Sequence, residues 1–593
     1  MERKPQALEK GHSTLWSRLP FYLLIALILW FLVTFLIFPN FTVLKDTFWV
    51  DGGFSFSAIT KVLNSDRALK AIGNSLLLAV CLTFTINIVG TFIVLVTEYF
   101  DIKGANLLRV GFMSTLVFAG IVLNNGYLYV YGDDGILTKL LLQVFPNMDP
   151  DWFIGFPAVL FVMTFACTSN HMLFLRNAVK GLDNNTIEAA QNMGSGQWQI
   201  LRKIVFPSLK PVLITLTIMA FQIGLGALSA PLMVGGEDFQ TISPLILTFT
   251  QRPASRDIAA LLSLILGLAQ VVLLIVMTRN EKKGNYMSIS KTKTKLHKHK
   301  ITNPVANVIV HILAYIVFLI YVLPLVLVVL FSFMDTQGIA QSTLSLDHFT
   351  LEHYMSILTD SANFQPLLTS AVYSGIAAFV AVIFMILVVR LVMRYKNNRL
   401  VESVEYGFYI PWLLPALMIA LGLILAYDGP NPLLFGKVVV GTLWVLPLAY
   451  MIMMLPSTLR YLKSAYYSFD HNLEDASRVL GASPMRTFWK VILPALLPTA
   501  LALFALNFNA YLADYDLSAF LYQPAYPTLG IIIRSNADPG ANVDATAINL
   551  VYSVILMVIS SLVLYFVYGR GSQRGEKQSG IANTRKLTGG GSK

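Results

Sequence analysis

Charged residues are scarce in this sequence: they make up 13% of 593 residues, against 56% hydrophobic. That balance excludes an ordinary soluble globular protein. Cysteine is nearly missing as well, and Cys81 and Cys167 both fall inside apolar runs, too few for a disulfide framework. No GxxxxGK[ST] phosphate loop follows a strand, and the terminal GGGSK of Gly589–Lys593 lacks that loop's spacing and context. HExxH, CxxC and a GxSxG nucleophile elbow are missing too, and no pair of acidic residues is placed for hydrolysis. The chain therefore has no visible means of binding ATP or of covalent catalysis, so no cofactor is expected in it. Any energy source must come from another subunit or from an ion gradient.

What the sequence has in abundance is long apolar runs. Candidate membrane spans lie near 20–39, 73–97, 108–131, 154–175, 211–233 and 258–278, then near 308–331, 367–392, 407–427, 438–457, 498–520 and 547–568. Each is about the length a helix needs to cross hydrocarbon. The first run is long enough to span and has no small-residue cleavage pattern after it, so it reads as a span and not a signal peptide. Between the two sets lies a basic segment, 279–303, read as a cytoplasmic linker; 1–19 reads as a polar leader and 570–593 as a tail ending in an expression scar. Placing the N-terminus in the cytoplasm puts the linker, the tail and the loop with Arg390, Arg394, Lys396 and Arg399 inside, as the positive-inside rule favours. The loop 332–366 agrees, since it holds Asp335, Asp347, Glu352 and Asp360 and no Lys or Arg. The net charge of +11 is then mostly topology, with anionic lipid headgroups the expected contact of the linker and no nucleic acid.

The sequence also repeats itself. Shifted by 287 positions, 183–211 falls on 470–498 without a gap, with Asp183/Asp470, Asn185/Asn472, Ala189/Ala476, Gly194/Gly481, Lys203/Lys490, Pro207/Pro494, Leu209/Leu496 and Pro211/Pro498 identical. Such a period marks a duplicated domain, giving halves over 20–278 and 304–569. Each copy reads as a short helix, a glycine bend, a second amphipathic run, and prolines that open the next span. The expected shape is a helix–turn–helix elbow outside the bilayer. Phe221/Phe508, Leu225/Leu512, Thr241/Thr528 and Asp257/Asp544 extend the repeat through the last span of each half. Parallel repeats put both elbows on one side of the membrane.

The elbow resembles the EAA motif of permease subunits in type I ABC importers. Glu188-Ala189-Ala190, Gly194, Ile204 and Pro207 fit the first copy, and Asp475-Ala476-Ser477, Gly481, Val491, Leu493 and Pro494 the second. The resemblance implies an all-α polytopic fold of two six-helix halves, about twelve transmembrane helices, in a bacterial inner membrane. It implies that the elbows dock on two copies of a cytoplasmic ABC ATPase, where ATP and Mg are bound, and that an extracytoplasmic binding protein delivers cargo. In this reading Glu188 and Asp475 pair with basic residues of the ATPase, Ala189 and Ala476 permit close approach, and the glycines set the angle of the second arm. The bland alternative is a solvated loop capping two spans.

Both halves in one chain is an arrangement similar to the ferric-iron, thiamine and aminoethylphosphonate permeases. The segment 230–236 followed by Thr241, and the segment 513–521, resemble the ferric-iron group, although Asp516 stands where a small residue is expected. Asp514, Tyr515 and Asp516 beside Tyr511 offer the oxygen ligands that a hard cation prefers, as transient contacts. Asp514 either lines the pathway or sits at the outer mouth in water. Gln222, Asn507 and Asn509 contact cargo or make interhelical hydrogen bonds. The expected function is an ATP-driven ferric-iron importer permease, with aminoethylphosphonate or thiamine as other cargoes and an ion-gradient-driven secondary transporter as the rival class.

Overall fold

The computed structural model describes residues 15–569 except 51, 118–119, 284–295, 396–397, 468, 470 and 539. The proposed leader up to residue 14, residues 284–295 of the basic linker and the tail from 570 therefore lie outside the described residues. The described residues are helical or irregular apart from two paired two-residue strands, Trp49–Val50 with Gly53–Phe54, and isolated bridges. Among the described residues ten helices are long and apolar enough to cross a membrane: Leu23–Phe48, Asp66–Tyr99, Phe156–Lys180, Gln197–Leu225, Pro253–Met277, Pro304–Phe331, Ser361–Arg394, Val445–Tyr467, Pro484–Leu512 and Val543–Val567. Their exposed side chains include Phe84, Ile88, Leu268, Ile312 and Leu319, as a hydrocarbon solvent requires.

The remaining two spans, the third of each half, are broken. The first is interrupted at Met113, between Ala105–Phe112 and Ser114–Val117, with Gly120–Tyr131 further on; the second runs as Arg399–Gly407, Ile410–Leu413 and Ala416–Tyr427. Pro411 and Pro415 interrupt the second, because each lacks a donor and clashes with the preceding turn. Breaks of this kind are tolerated at membrane depth where protein surrounds them.

Two boundaries differ from expectation in a way that matters. The fifth spans were expected to open at prolines near 211 and 498, but they begin at Gln197 and Pro484. The prolines sit just inside a continuous helix, preceded by a π-helical turn at Leu201–Val205 and at Phe488–Ile492. A wide turn absorbs the hydrogen bonds that Pro207 and Pro494 cannot make. The elbow's second arm is thus the start of the fifth span itself, and the two form one continuous rod.

The halves exchange their first spans. Ile28, Phe31, Leu32, Phe35 and Leu36 join a core built otherwise from second-half residues, Tyr373 to Leu521. Conversely Ala314, Tyr321, Leu325, Val328 and Phe331 join the core of the first half. Each crossing depends on a glycine: a Cβ at Gly111 would strike the Phe318 ring, and one at Gly407 the Leu32 side chain. The duplication extends to single hydrogen bonds. Ser75 Oγ accepts from Ile242 N and Ser370 Oγ from Leu529 N, both at 2.8 Å.

Candidate coupling elbows and translocation pathway

Each elbow begins with a short helix, Asn184–Asn192 in the first copy and His471–Val479 in the second. Asp183 caps the first by accepting from Asn185 N at 3.1 Å. Both end alike. Ser195 N donates to Ala190 O at 3.0 Å and Gly194 N to Gln191 O at 2.9 Å; Ala482 N donates to Ser477 O at 3.0 Å and Gly481 N to Arg478 O at 2.9 Å. This paired closure satisfies the last carbonyls and requires a left-handed residue, and Gly194 and Gly481 stand at φ +83° and +79°.

Glu188 is exposed and accepts from Asn184 Nδ2 at 2.5 Å, which holds its carboxylate toward its own helix face. Asp475 is exposed, with Arg478 Nη1 at 3.9 Å. Ala189 and Ala476 are exposed, Ala190 is buried and Ser477 is half-buried. Ser477 Oγ meets Thr487 Oγ1 at 2.9 Å across the bend, tying the two arms together. Each elbow also presents apolar side chains on both sides of its glycine. Met193 and Trp198 are 80% and 68% exposed, and Leu480 and Met485, at the same repeat positions, are 86% and 65% exposed.

Behind the elbows the wiring diverges. Buried Glu474, next to Asp475, accepts from Arg390 Nη2 at 3.2 Å and Arg478 Nη2 at 2.8 Å. Burial alone would raise its pKa, but the hydrogen bond and charge of Arg390, then Arg478, hold it below the usual carboxylate value. The first elbow is fastened by backbone instead. Asn184 Oδ1 accepts from His297 N at 3.3 Å, and Gln197 Oε1 from Thr302 N at 3.0 Å. His299 N donates to Tyr99 O at 2.9 Å, and Asp101 N to His299 O at 3.0 Å. Burial lowers the His299 pKa, while the charge of Glu188 opposes the shift.

The structure brings some pathway residues together and leaves others apart. Asp514 Oδ2 accepts from Leu517 N and Ser518 N, both at 3.1 Å, and so caps the short helix Ser518–Leu521. One of its two carboxylate oxygens, Oδ2, is engaged by these backbone donors. Gly530 packs against this turn so closely that a Cβ there would collide with Asp514 O. The Tyr450 ring lies 4.8 Å from that of Tyr511, and its hydroxyl meets Ser518 Oγ at 2.7 Å. Asp516 is exposed and Tyr515 half-buried. Asn509 has a buried Oδ1 without a partner, whereas Asn507 Nδ2 donates to Thr458 Oγ1 at 2.9 Å, the interhelical bond of the plainer reading. Gln222 is half-buried on the fifth span of the other half. Among the described residues no group of three or more His, Cys, Asp or Glu is placed to hold a metal ion.

A family model described as "Binding-protein-dependent transport system inner membrane component" matches residues 108–283 and 386–572, together more than half of the chain. The chain belongs to this family. It is 37% identical over 557 residues to "Probable ABC transporter permease protein y4fN" of Sinorhizobium fredii, covering 93% of this chain and 97% of that one. It is 23% identical over 543 residues to the ferric transport system permease protein FbpB of Actinobacillus pleuropneumoniae, covering 91% and 77%. A Salmonella typhimurium protein provisionally named as a 2-aminoethylphosphonate transport system permease, PhnV, is 25% identical over 241 residues, covering 40% and 88%. The chain is a multi-pass inner-membrane permease of the ABC importer class.

Sequence reasoning missed several features of this permease. The exposed apolar pairs Met193/Leu480 and Trp198/Met485 were visible as large apolar residues at matching positions of polar segments. The Glu474–Arg390 pair was not, because its members are 84 positions apart and come from different helices.

Proposed function

We propose that this permease couples ATP hydrolysis on two cytoplasmic subunits to cargo import through its twin elbows, and that its cargo is ferric iron. The observation that carries the coupling is the matched elbow geometry. Two left-handed glycines each set a helix bearing one exposed carboxylate, Glu188 or Asp475, and an apolar pair against the first turns of a fifth span. Such a surface suits a partner groove with an apolar floor and a basic rim. Drawing the ATPase subunits together would swing both rods, and ATP would bias the pore between inward and outward states according to its preference for each. With the N-terminus inside, the elbows and linker face the cytoplasm and the acidic loop 332–366 faces out.

Similarity to a ferric permease over most of the chain supports iron, as does the exposed Asp516 next to Tyr515. The test is uptake in proteoliposomes holding the permease, its ATPase and its binding protein, offered ferric iron, aminoethylphosphonate or thiamine. ATP-dependent accumulation of iron alone is expected. Accumulation of phosphonate or thiamine would overturn the cargo and keep the coupling; uptake without ATP, driven by an imposed ion gradient, would overturn both.

A further inference from the structure

The two halves differ at their outer ends where their shared fold makes the difference legible. Each third span closes with a twelve-residue helix, Gly120–Tyr131 and Ala416–Tyr427. Just after Tyr427, Asp428 accepts from Arg256 Nη1 at 2.9 Å, and Arg256 opens the sixth span of the opposite half. Its neighbour Asp257 pairs with Lys61 Nζ at 2.6 Å. At the repeat offset Arg256 and Asp257 become Val543 and Asp544. Lys61 lies four positions before Ser65, the cap of the second span; four positions before the corresponding cap, Asp360, lies Ser356. Both internal cations are therefore replaced by uncharged residues.

The carboxylates remain. Asp133 and Asp134 follow Tyr131, Asp544 opens the last span, and all three are exposed. Among the described residues none of them forms an ion pair within 4.0 Å. Asp133 and Asp134 line a cavity of about 360 Å³ between the third span of the first half and the sixth of the second. Asp544 lines a neighbouring cavity of about 480 Å³ with Ser356 and Glu352. The first cavity reaches Asn549, which is 2% exposed. Asn549 Nδ2 donates to Asn125 Oδ1 and to Ile533 O, both at 3.1 Å, while its Oδ1 has no donor. The Tyr129 hydroxyl on the same wall is also buried without a partner. Lys139 is committed to Ala340 O at 3.0 Å and Ser342 Oγ at 3.2 Å. Asp538 on the same lining is already paired with Arg534; Asp133, Asp134 and the Asn549 oxygen remain as acceptors, a wall that suits a cationic hydrogen-bond donor.

We propose that this outer cavity receives a lysine or arginine side chain of the extracytoplasmic binding protein, replacing from outside the cation that the other half carries as Arg256. The inference rests on the importer reading above and adds to it a docking residue type and a polarity. A duplicated permease offers a binding protein two similar orientations, and a charged socket on one side selects between them. Charge complementarity of this kind acts through encounter rate and register.

The test uses the full permease–ATPase complex and its purified binding protein. Two variants are compared with the parent at low ionic strength: Asp133→Asn with Asp134→Asn, which removes the charge, and Val543→Arg, which supplies the internal cation and keeps every carboxylate. Both are expected to weaken binding-protein affinity about tenfold, with ATP hydrolysis in its absence unchanged and the thermal midpoint of Val543→Arg not lowered. Unchanged affinity in both variants overturns the proposal. So does saturation of the cavity by free guanidinium ion without competition against the binding protein, which would make it a small-cation site. A parent complex whose ATPase does not respond to its binding protein overturns the importer reading as well, and is seen before any variant is made.

Discussion

At the scale of single residues, the second elbow depends on one buried carboxylate. Glu474 takes charge-assisted bonds from Arg390 on the second span and Arg478 on its own helix, so Arg390→Ala leaves it buried against a single, more exposed cation. Breaking a buried pair by removing one partner costs about 3 kcal/mol, and thermal unfolding in detergent should show a lowered midpoint. Because the Glu474 pKa is held below 4.5, the folded state binds fewer protons than the unfolded one near that value. Its stabilisation is full at neutral pH and is lost as pH falls through the depressed value. Glu474→Gln should therefore destabilise the permease at pH 7, with a difference that shrinks as the medium is acidified through the depressed value; a difference that grew on acidification would refute the assignment. Asp514 makes the opposite lesson. In the sequence it stands out as a ligand candidate; in the structure its Oδ2 takes the backbone donors of Leu517 and Ser518. A residue type announces possible chemistry, whereas backbone donors three and four positions ahead decide which oxygen is left for it.

At the scale of elements, the proposed coupling makes the elbow a lever, and one glycine sets its bend. Gly194 and Gly481 have no atom within 4 Å of where a Cβ would stand, so only their positive φ resists a side chain. Gly194→Val together with Gly481→Val should cost about 1–2 kcal/mol at each site and re-aim both second arms. The expected readout is cargo uptake falling at least tenfold while the permease still inserts and folds; unchanged uptake would remove the glycines from the coupling account. The elbows were legible in the sequence because glycine, proline and small residues recur there at fixed spacing. Their continuity with the fifth spans was not. Pro207 and Pro494 read as helix openers, and the π-helical turns that let a helix run through them have no residue signature of their own. Likewise the third spans of 108–131 and 407–427 have the composition of spans, and Pro411 and Pro415 mark the break in the second, while the close crossings at Gly111 and Gly407 have no signal in hydropathy.

For the whole molecule, duplication was plain from the 287-residue offset, but the exchange of first spans was not, since hydropathy says nothing of which half a helix packs on. That exchange makes each core a joint product of both halves, so a movement of either elbow is resisted, or transmitted, by the other half. Gly111→Leu, which drives a side chain into Phe318, should destabilise both halves together and give one lowered unfolding transition; two separate transitions would contradict a shared core. The central claim is that the elbows connect ATP hydrolysis to transport. Its most direct test is ATP-driven, binding-protein-dependent uptake in proteoliposomes, comparing the parent with Glu188→Lys plus Asp475→Lys. The account predicts a folded permease that either releases its ATPase or hydrolyses ATP without accumulating cargo. Parent-level assembly and uptake in the double variant would contradict it.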